Sequence, residues 1–597
     1  MPTDKTNNAS INVGALMESA GNNTSQENAN SKTVVSATKN QTAKQDRKTP
    51  PKHTSPNLID SQSPLLKAAR SPVNPQVLDR LLEGYDVSIR NYLVTGFREG
   101  FVIDYEGPLL RPSLKNHPSF IKNIEIGRDK ILQEVMKGRV LGPFKTPPFN
   151  NFVTSPLGLV PKKEPGEYRM IHDLSYPRSN SVNAYIPRSA SAVQYETLDQ
   201  AIQLVVEAGK NALIAKTDIE NAYRIVPVHP SSIHLLGMSC NGVYYFDAFL
   251  PFGLSQSCAI FETFSTALQW CLKRMSPLTR ITHILDDFIF IGPEKTNLAQ
   301  AGLSSFLTLS KELGVPVKHS KTVVPTTCAI LHGIEVDTIA SEARLPQEKL
   351  SKATQLLSDM QKRKKVTLKQ LQELLGFLNF ICKVVVPGRV FLRRLTDLTK
   401  GLQSPNHFIR LTKAARSDLS TWLSFLQAHN GISILRPLRW VTSTNLQLYS
   451  DSAGSCGFAA VLGSHWISGP FPDDWKSFHI SILELYPILL AIFTWAPLLA
   501  NKCIIFHCDN LNVVYAINSQ TSKQPTLMIL LRKLVLACLN FNILFTAKHI
   551  KGKHNVIPDF ISRFQMQHAR QLAPWLDLHP TPIPEELQPQ NILSSDY

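Results

Sequence analysis

The stretch from Ile281 to Gly292 reads Ile-Thr-His-Ile-Leu-Asp-Asp-Phe-Ile-Phe-Ile-Gly. β-Branched and aromatic residues flank two adjacent carboxylates, which predicts strand, tight turn, strand, with Asp286 and Asp287 at the bend. Two carboxylates side by side in apolar surroundings raise each other's pKa, so the pair calls for a cation, and hard oxygen donors suit Mg²⁺. A solvated Asp-Asp turn is the plainer reading of the same letters, and two residues alone do not exclude it.

A chain of 597 residues with 43% hydrophobic content can bury several cores, about three or four domains by length. Its net charge of +17 favours a polyanionic partner, because Lys and Arg release counterions from a phosphate backbone. Nine cysteines occur without a CxxC pair or a Cys/His ligand array, which argues for reduced thiols and against a disulfide framework or zinc knuckle. The N-terminal MPTDKTNNASINVGALMESAG has no apolar h-region, so the expectation is an intracellular protein of cytoplasm and/or nucleus. Leu483 to Ala500 is long enough to resemble a membrane span but contains Glu484 and two prolines. The prediction there is a buried helix with Pro487 in its first turn and no membrane contact.

Residues 1–75 are rich in Ser, Thr, Asn, Lys and Pro, a composition that cannot offset ordering entropy and predicts a disordered basic tail. Ser155 to Leu174 reads as a β-hairpin turning at Glu-Pro-Gly-Glu. Lys162, Lys163 and Arg169 would stand near its tip, able to converge on a triphosphate or simply to face solvent. Ala212 to Arg224 is an apolar strand that delivers Asp218 at its end, with Tyr223 five residues on. A carboxylate so placed can share a metal with an acid pair on the next strand. Leu250 to Phe261 is a loop centred on Phe252 and Gly253 that opens a helix; its backbone could lie beneath a base pair or phosphate, or serve only as a helix N-terminus with a Ser cap. Leu345 to Thr399 shows helical Leu spacing with heavy positive charge, fitting a face along duplex phosphates or a solvated bundle.

The order basic hairpin, Asp-x-x-x-x-Tyr, Pro-Phe-Gly loop, Leu-Asp-Asp hairpin is similar to the fingers and palm of reverse transcriptases. The wording SPLGLVPKK, RMIHDLSYPRSNSVN and GRVLGPF most resembles DIRS-like, tyrosine-recombinase retrotransposons, and the likeness spans about Leu82 to Arg563. It implies that Asp218, Asp286 and Asp287, joined by the backbone carbonyl of Ile219, bind two Mg²⁺, with Mn²⁺ as an alternative. One ion would activate the primer 3′-hydroxyl and the other hold the nucleotide phosphates. It further implies that Lys162 or Lys163 and Arg169 contact the incoming triphosphate, and that Tyr223 blocks a ribose 2′-hydroxyl. Two positions depart from the family. Ile284 stands where Tyr is common, and Phe252 where some retroviral relatives have Gln.

A second constellation follows. A strand ends at Asp451, an apolar helix begins around Glu484, another strand ends at Asp509, and Asp559 closes the region after GKHNVIP. An acid at one strand end is commonplace; four in this order resemble ribonuclease H, whose acids hold two Mg²⁺ for hydrolysing RNA paired to DNA. By that resemblance His549 assists water or product departure, His554 being the weaker candidate, and Asn555 and Arg563 are structural. Asp451-Ser452-Ala453-Gly454 also approaches an aspartic protease signature, but no Gly directly follows Ser and the other acids would go unexplained.

The resulting expectation is an α+β right-hand polymerase of fingers, palm and thumb followed by an α/β ribonuclease H-like domain. Its parts would be a tail (1–75), fingers and palm (76–345), thumb helices (346–400), connection (401–440), ribonuclease H-like domain (441–568) and a Pro-rich tail (569–597). The implied activity is RNA-directed DNA synthesis with degradation of the RNA strand. The implied partners are RNA template, DNA primer, RNA–DNA hybrid and dNTPs, with coat protein or recombinase of the same element as further ones. An RNA-dependent RNA polymerase, a fragment of a polyprotein, and an inactive nucleic-acid-binding relic of a retroelement stand as alternatives.

Overall fold

Phe288, Ile289, Phe290 and Ile291 are all fully buried, so the strand Asp287–Gly292 is covered on both faces, as its unbroken apolar run requires. In the computed structural model it is an inner strand of a four-stranded sheet, ordered Arg280–Ile284, Asp287–Gly292, Leu213–Asp218, Val323–Thr326, with antiparallel neighbours throughout. Helices Ser257–Met275 and Leu298–Leu313 pack against this sheet. Phe306 lies 4.8 Å from Phe288 and 5.9 Å from Phe290, ring centre to ring centre.

The structure describes residues 70–109, 114–162, 166–428, 432–433, 446–500, 502–541 and 543–593. Lys163 and residues 1–69 of the expected tail therefore lie outside the described residues. The chain forms two compact units divided between Ala329 and Ile330. Packing in the first begins at the buried Val73, and Asn74 caps helix Pro75–Leu81. The expected hairpin pairs Leu157–Pro161 with Tyr168–His172, Val160 facing Arg169. It shares a small core with Phe120 and Ile131, separate from the main core behind the four-stranded sheet. A three-stranded sheet, ordered Val140–Phe144, Val243–Asp247, Gly237–Cys240, completes the unit.

The second unit opens with a short sheet and helices Gln347–Gln361 and Leu368–Ile381, each carrying equal numbers of acids and bases, with the basic run Lys362-Arg363-Lys364-Lys365 between them and the second helix started by a capping box between Thr367 and Gln370. The stretch expected as a connection contains helix Lys413–Ala428. Its Asp418 is buried and accepts bonds from Arg394 at 3.4 Å and Arg532 at 3.2 Å. A five-stranded sheet follows, ordered His465–Pro470, Gly457–Leu462, Gln447–Ser452, Cys503–Cys508, Leu544–His549. The first three are antiparallel and the last three parallel. Helix Ile480–Thr494 is buried over most of its length. Among the described residues no helix is long and apolar enough to cross a membrane.

Two expectations are corrected here. Pro487 is not in the first turn of its helix but in the interior. A mid-helix proline leaves the carbonyl four residues earlier without its N–H, and the Ser452 hydroxyl donates to that carbonyl, Leu483 O, at 2.9 Å. The Pro-rich C-terminal segment is not a loose tail. Tyr486 Oη donates to Leu587 O at 2.9 Å, Lys533 Nζ to Ile592 O at 2.6 Å, and Ala573, Leu576 and Ile592 are buried. Phe306→Ala should cost about 3–5 kcal/mol, read by chemical denaturation, because it empties the space behind the acid-bearing hairpin.

Candidate active sites

The hairpin that carries the first acids turns in two residues, since Ile284 pairs with Asp287 and only Leu285 and Asp286 remain between them. Leu285 takes φ +53°, the left-handed region that such turns demand. Two acids hold this turn from behind: Glu262 accepts from Leu285 N at 2.9 Å, and Glu196 from His283 N at 3.2 Å and from the Thr282 hydroxyl. Neither was identified from sequence; an acid inside the apolar helix containing SCAIFETFSTALQW was the only signal, for Glu262.

Asp218 ends the adjoining strand directly opposite Asp287, and Ile219 N donates to Asp286 O at 2.9 Å. The three expected acids are therefore together at one sheet end, with the Ile219 backbone beside them. Burial, then the Asp218 carboxylate, pushes Asp286 up to about 6. Burial also raises Asp287, with Lys216 opposing at 3.7 Å. Lys321 Nζ donates to Asp218 Oδ2 at 2.7 Å, and that bond raises the ammonium's own pKa. Oxygen donors crowded until they draw in two ammonium groups are a donor set suited to a hard divalent cation.

Around this cluster Tyr223 sits in the turn Ala222–Ile225, its hydroxyl 3.2 Å from Cys258 Sγ and its ring 5.2 Å from Phe252. Gly253 has φ +124°, and a Cβ there would lie 2.0 Å from His172 O, so no side chain fits. Asn183, also missed from sequence, clamps the loop by donating to Gly253 O at 2.7 Å and accepting from Ser255 N at 2.9 Å. Lys162 is paired with Glu167 at 2.7 Å on the hairpin itself. Arg169 and Lys162 line a 290 Å³ cleft with Asn221, Arg224 and Phe252.

The second set is gathered by the five-stranded sheet. Asp451 is on its central strand, and Asp509 directly follows the neighbouring parallel one. The Ser452–Leu483 bond sets the turn of helix that carries Glu484. Ser562 Oγ donates to Asp451 Oδ2 at 2.7 Å, and Arg563 Nε to Asp559 Oδ1 at 2.8 Å. His549 Nε2 is 3.1 Å from Asp509 O, and Asn555 donates to Ser450 O at 2.8 Å. Burial, with Asp509 and Asp559 adding to it, pushes Asp451 up to about 6; burial, then Asp451 and Asp509, raises Glu484 well above its ordinary value. Cys508 was read from sequence only as a reduced thiol, yet its Sγ donates to Glu484 at 3.8 Å. Ligand atoms of Glu484, Cys508 and Asp509 lie within 4.8 Å of one another.

Residues 160–366 match the family model described as reverse transcriptase (RNA-dependent DNA polymerase). Over 371 residues the chain is 20% identical to the genome polyproteins of Petunia vein clearing virus, isolates Shepherd and Hohn, a stretch covering 61% of this chain. The chain spans 16% of the length of each polyprotein. The matched segment is a reverse transcriptase domain of the kind found in retroelement and viral polyproteins. Among solved structures the chain is similar to the foamy viral protease-reverse transcriptase in complex with RNA/DNA hybrid, with TM-score 0.45 and 15% identity over 79% of this chain and 62% of that one. It is also similar to the same viral protein in complex with dsDNA, with TM-score 0.44 and 17% identity over 80% and 97% of the two chains.

The Asp286 carboxyl gives a signed pH dependence. Its folded value, about 6, exceeds the ordinary 3.8, so the folded state holds the proton more tightly. The corresponding stability is complete below about pH 4 and is lost as pH rises through about 6. In EDTA, Asp286→Asn should therefore gain up to about 3 kcal/mol over wild type at pH 7, reduced by solvent screening of the turn, and nothing at pH 4, measured by urea titration at both pH values.

Proposed function

We propose that the reverse transcriptase domain of this chain is a working RNA-directed DNA polymerase, and that the five-stranded domain C-terminal to it in the sequence is a ribonuclease H that degrades the RNA of the resulting hybrid. The observation that carries the first part is the strand register that sets Asp218 opposite Asp287, with Asp286 at the adjoining turn. Asp218, Asp286, Asp287 and the Ile219 carbonyl would hold Mg²⁺ in the first site, and Asp451, Glu484, Asp509 and Asp559 in the second. When bound, the cation supplies Lewis-acid activation of a hydroxyl or water and neutralises phosphate charge.

The chain's own residues do the rest. Arg169 and Lys162, which share a cleft with Asn221 and Phe252, are suited to the triphosphate of an incoming dNTP, Arg169 as a planar fork and Lys162 as a point charge once released from Glu167. Tyr223, backed by Phe252 and Phe261, forms a rigid wall where a ribose 2′-hydroxyl would intrude. The Gly253 loop offers bare backbone to a template base. In the second unit His549, anchored on the Asp509 carbonyl, can carry a proton to or from water or product. RNA template, DNA primer and hybrid are the partners of this reading. The DIRS-like wording of the hairpin region and of Gly138 to Phe144 supports a retroelement of that group, with coat protein and recombinase as companion proteins, acting in cytoplasm or nucleus.

Asp286→Asn should abolish incorporation on poly(rA)/oligo(dT) while hybrid-RNA cleavage survives, and Asp509→Asn should do the reverse. Loss of both activities in either folded variant would contradict two separate sites. Tyr223→Ala should raise ribonucleotide incorporation at least tenfold relative to deoxynucleotide, on the order of one lost wall contact, and unchanged discrimination would remove the wall.

A further inference from the structure

Arg224 follows Tyr223 directly and is 8% exposed. Its Nη1 donates to Asp247 Oδ1 at 2.7 Å and to the carbonyls of Phe249 at 3.2 Å and Leu250 at 3.4 Å. Its Nε and Nη2 reach Glu134 Oε2 at 3.2 and 3.1 Å. The other oxygen of Asp247 lies 3.0 Å from His172 Nδ1, and His172 Nε2 lies 3.0 Å from Gly237 O. Burial alone would push the Asp247 carboxyl up, yet Arg224 and His172 hold it below the usual carboxylate range.

One buried guanidinium thus bonds to helix Ile124–Met136 and to the approach to the Phe252-Gly253 loop, and reaches the basic hairpin through Asp247 and His172. Phe249 and Leu250 lead straight into Pro251-Phe252-Gly253. His172 ends the strand that carries Arg169, and its carbonyl is the surface on which Gly253 rests. Glu134 belongs to helix Ile124–Met136, next to the basic hairpin in the same small core. A buried ion pair is poor evidence for stability, since apolar residues of similar volume often replace it at no loss. Apolar residues do not supply directional bonds to two consecutive loop carbonyls and to a carboxylate shared with the hairpin.

We propose that Arg224, acting through Asp247 and His172, is a positioning residue that holds the Tyr223 wall, the Phe252-Gly253 loop and the Arg169 hairpin in one register, and so sets nucleotide affinity and sugar selectivity. This rests on the polymerase reading above. Because the network makes no contact with the carboxylates at the strand end, its loss reaches the reaction through KM and discrimination more than through kcat.

The test is steady-state incorporation of dTTP and UTP on poly(rA)/oligo(dT) by the full chain, with melting followed by circular dichroism. Arg224→Lys keeps the charge but loses the fork. It should raise KM for dTTP and lower the dTTP:UTP preference, each on the order of tenfold, with kcat within about twofold. The double variant Arg224→Met/Asp247→Leu, which fills the space without charge, should lose both in the same way. His172→Phe leaves the Arg224–Asp247 pair intact and detaches only the hairpin, so KM should rise with the sugar preference kept. A folded Arg224→Lys or double variant with wild-type KM and preference overturns the inference, as does a fall in kcat alone. Unchanged KM in His172→Phe removes the hairpin link even where the double variant does not fold. A wild-type chain that extends no primer overturns the polymerase reading instead.

Discussion

Like charges forced together by strand register are the constraint on which the first unit depends. Asp218 and Asp287 are direct cross-strand partners, an arrangement that destabilises a sheet by itself, and burial sharpens the repulsion. The register survives because it is fixed elsewhere. Ile214 pairs with Ile291 and Ala215 with Phe290 along the same two strands. A slip by one residue would turn the wholly buried Phe288 and Phe290 to the other face. The aromatic packing against Phe306 and the two acids bonded to the turn thus offset an arrangement that the carboxylates alone would undo.

How much of this was legible depended on where each residue finds its partner. Asp218, Asp286 and Asp287 could be read because an acid interrupts a β-branched run, and the strand period tells which end it occupies. Asp451, Asp509 and Asp559 were legible for a similar reason, as acids spaced among strands and helices. Glu196 and Glu262 were not, because they serve backbone N–H groups that are never written in a sequence. Pro487 was placed wrongly since the group that compensates for it, the Ser452 hydroxyl, lies on a strand more than thirty residues away in the chain. The C-terminal prolines suggested a tail for the same cause: the donors to Leu587 and Ile592 come from helices far upstream. Arg224 reads as an ordinary polar residue after a strand, and only the folded chain brings Glu134 and Asp247 to its two sides.

The two acid clusters solve one electrostatic problem by different means, and the difference bears on how each could work. In the first, ammonium groups sit on the carboxylates themselves, Lys321 on Asp218 at 2.7 Å and Lys216 near Asp287 at 3.7 Å. The Lys321 side chain is half exposed and can swing aside at small cost in contacts, so charge balance at Asp218 can pass to another cation without the sheet moving. In the second, Glu484 is buried beside Cys508 and the Ser452 backbone, and Asp451 beside the Ser562 hydroxyl. Neutral donors cannot cancel charge, which is why burial and neighbouring acids raise both groups. Arg563 engages Asp559 at the rim and relieves the interior only from a distance. Asp286 and Asp451 are both pushed up to about 6, so the two sites part company at Glu484, which burial and the Asp451 and Asp509 carboxylates raise well above its ordinary value; a divalent ion entering there would have to displace a more tightly held proton.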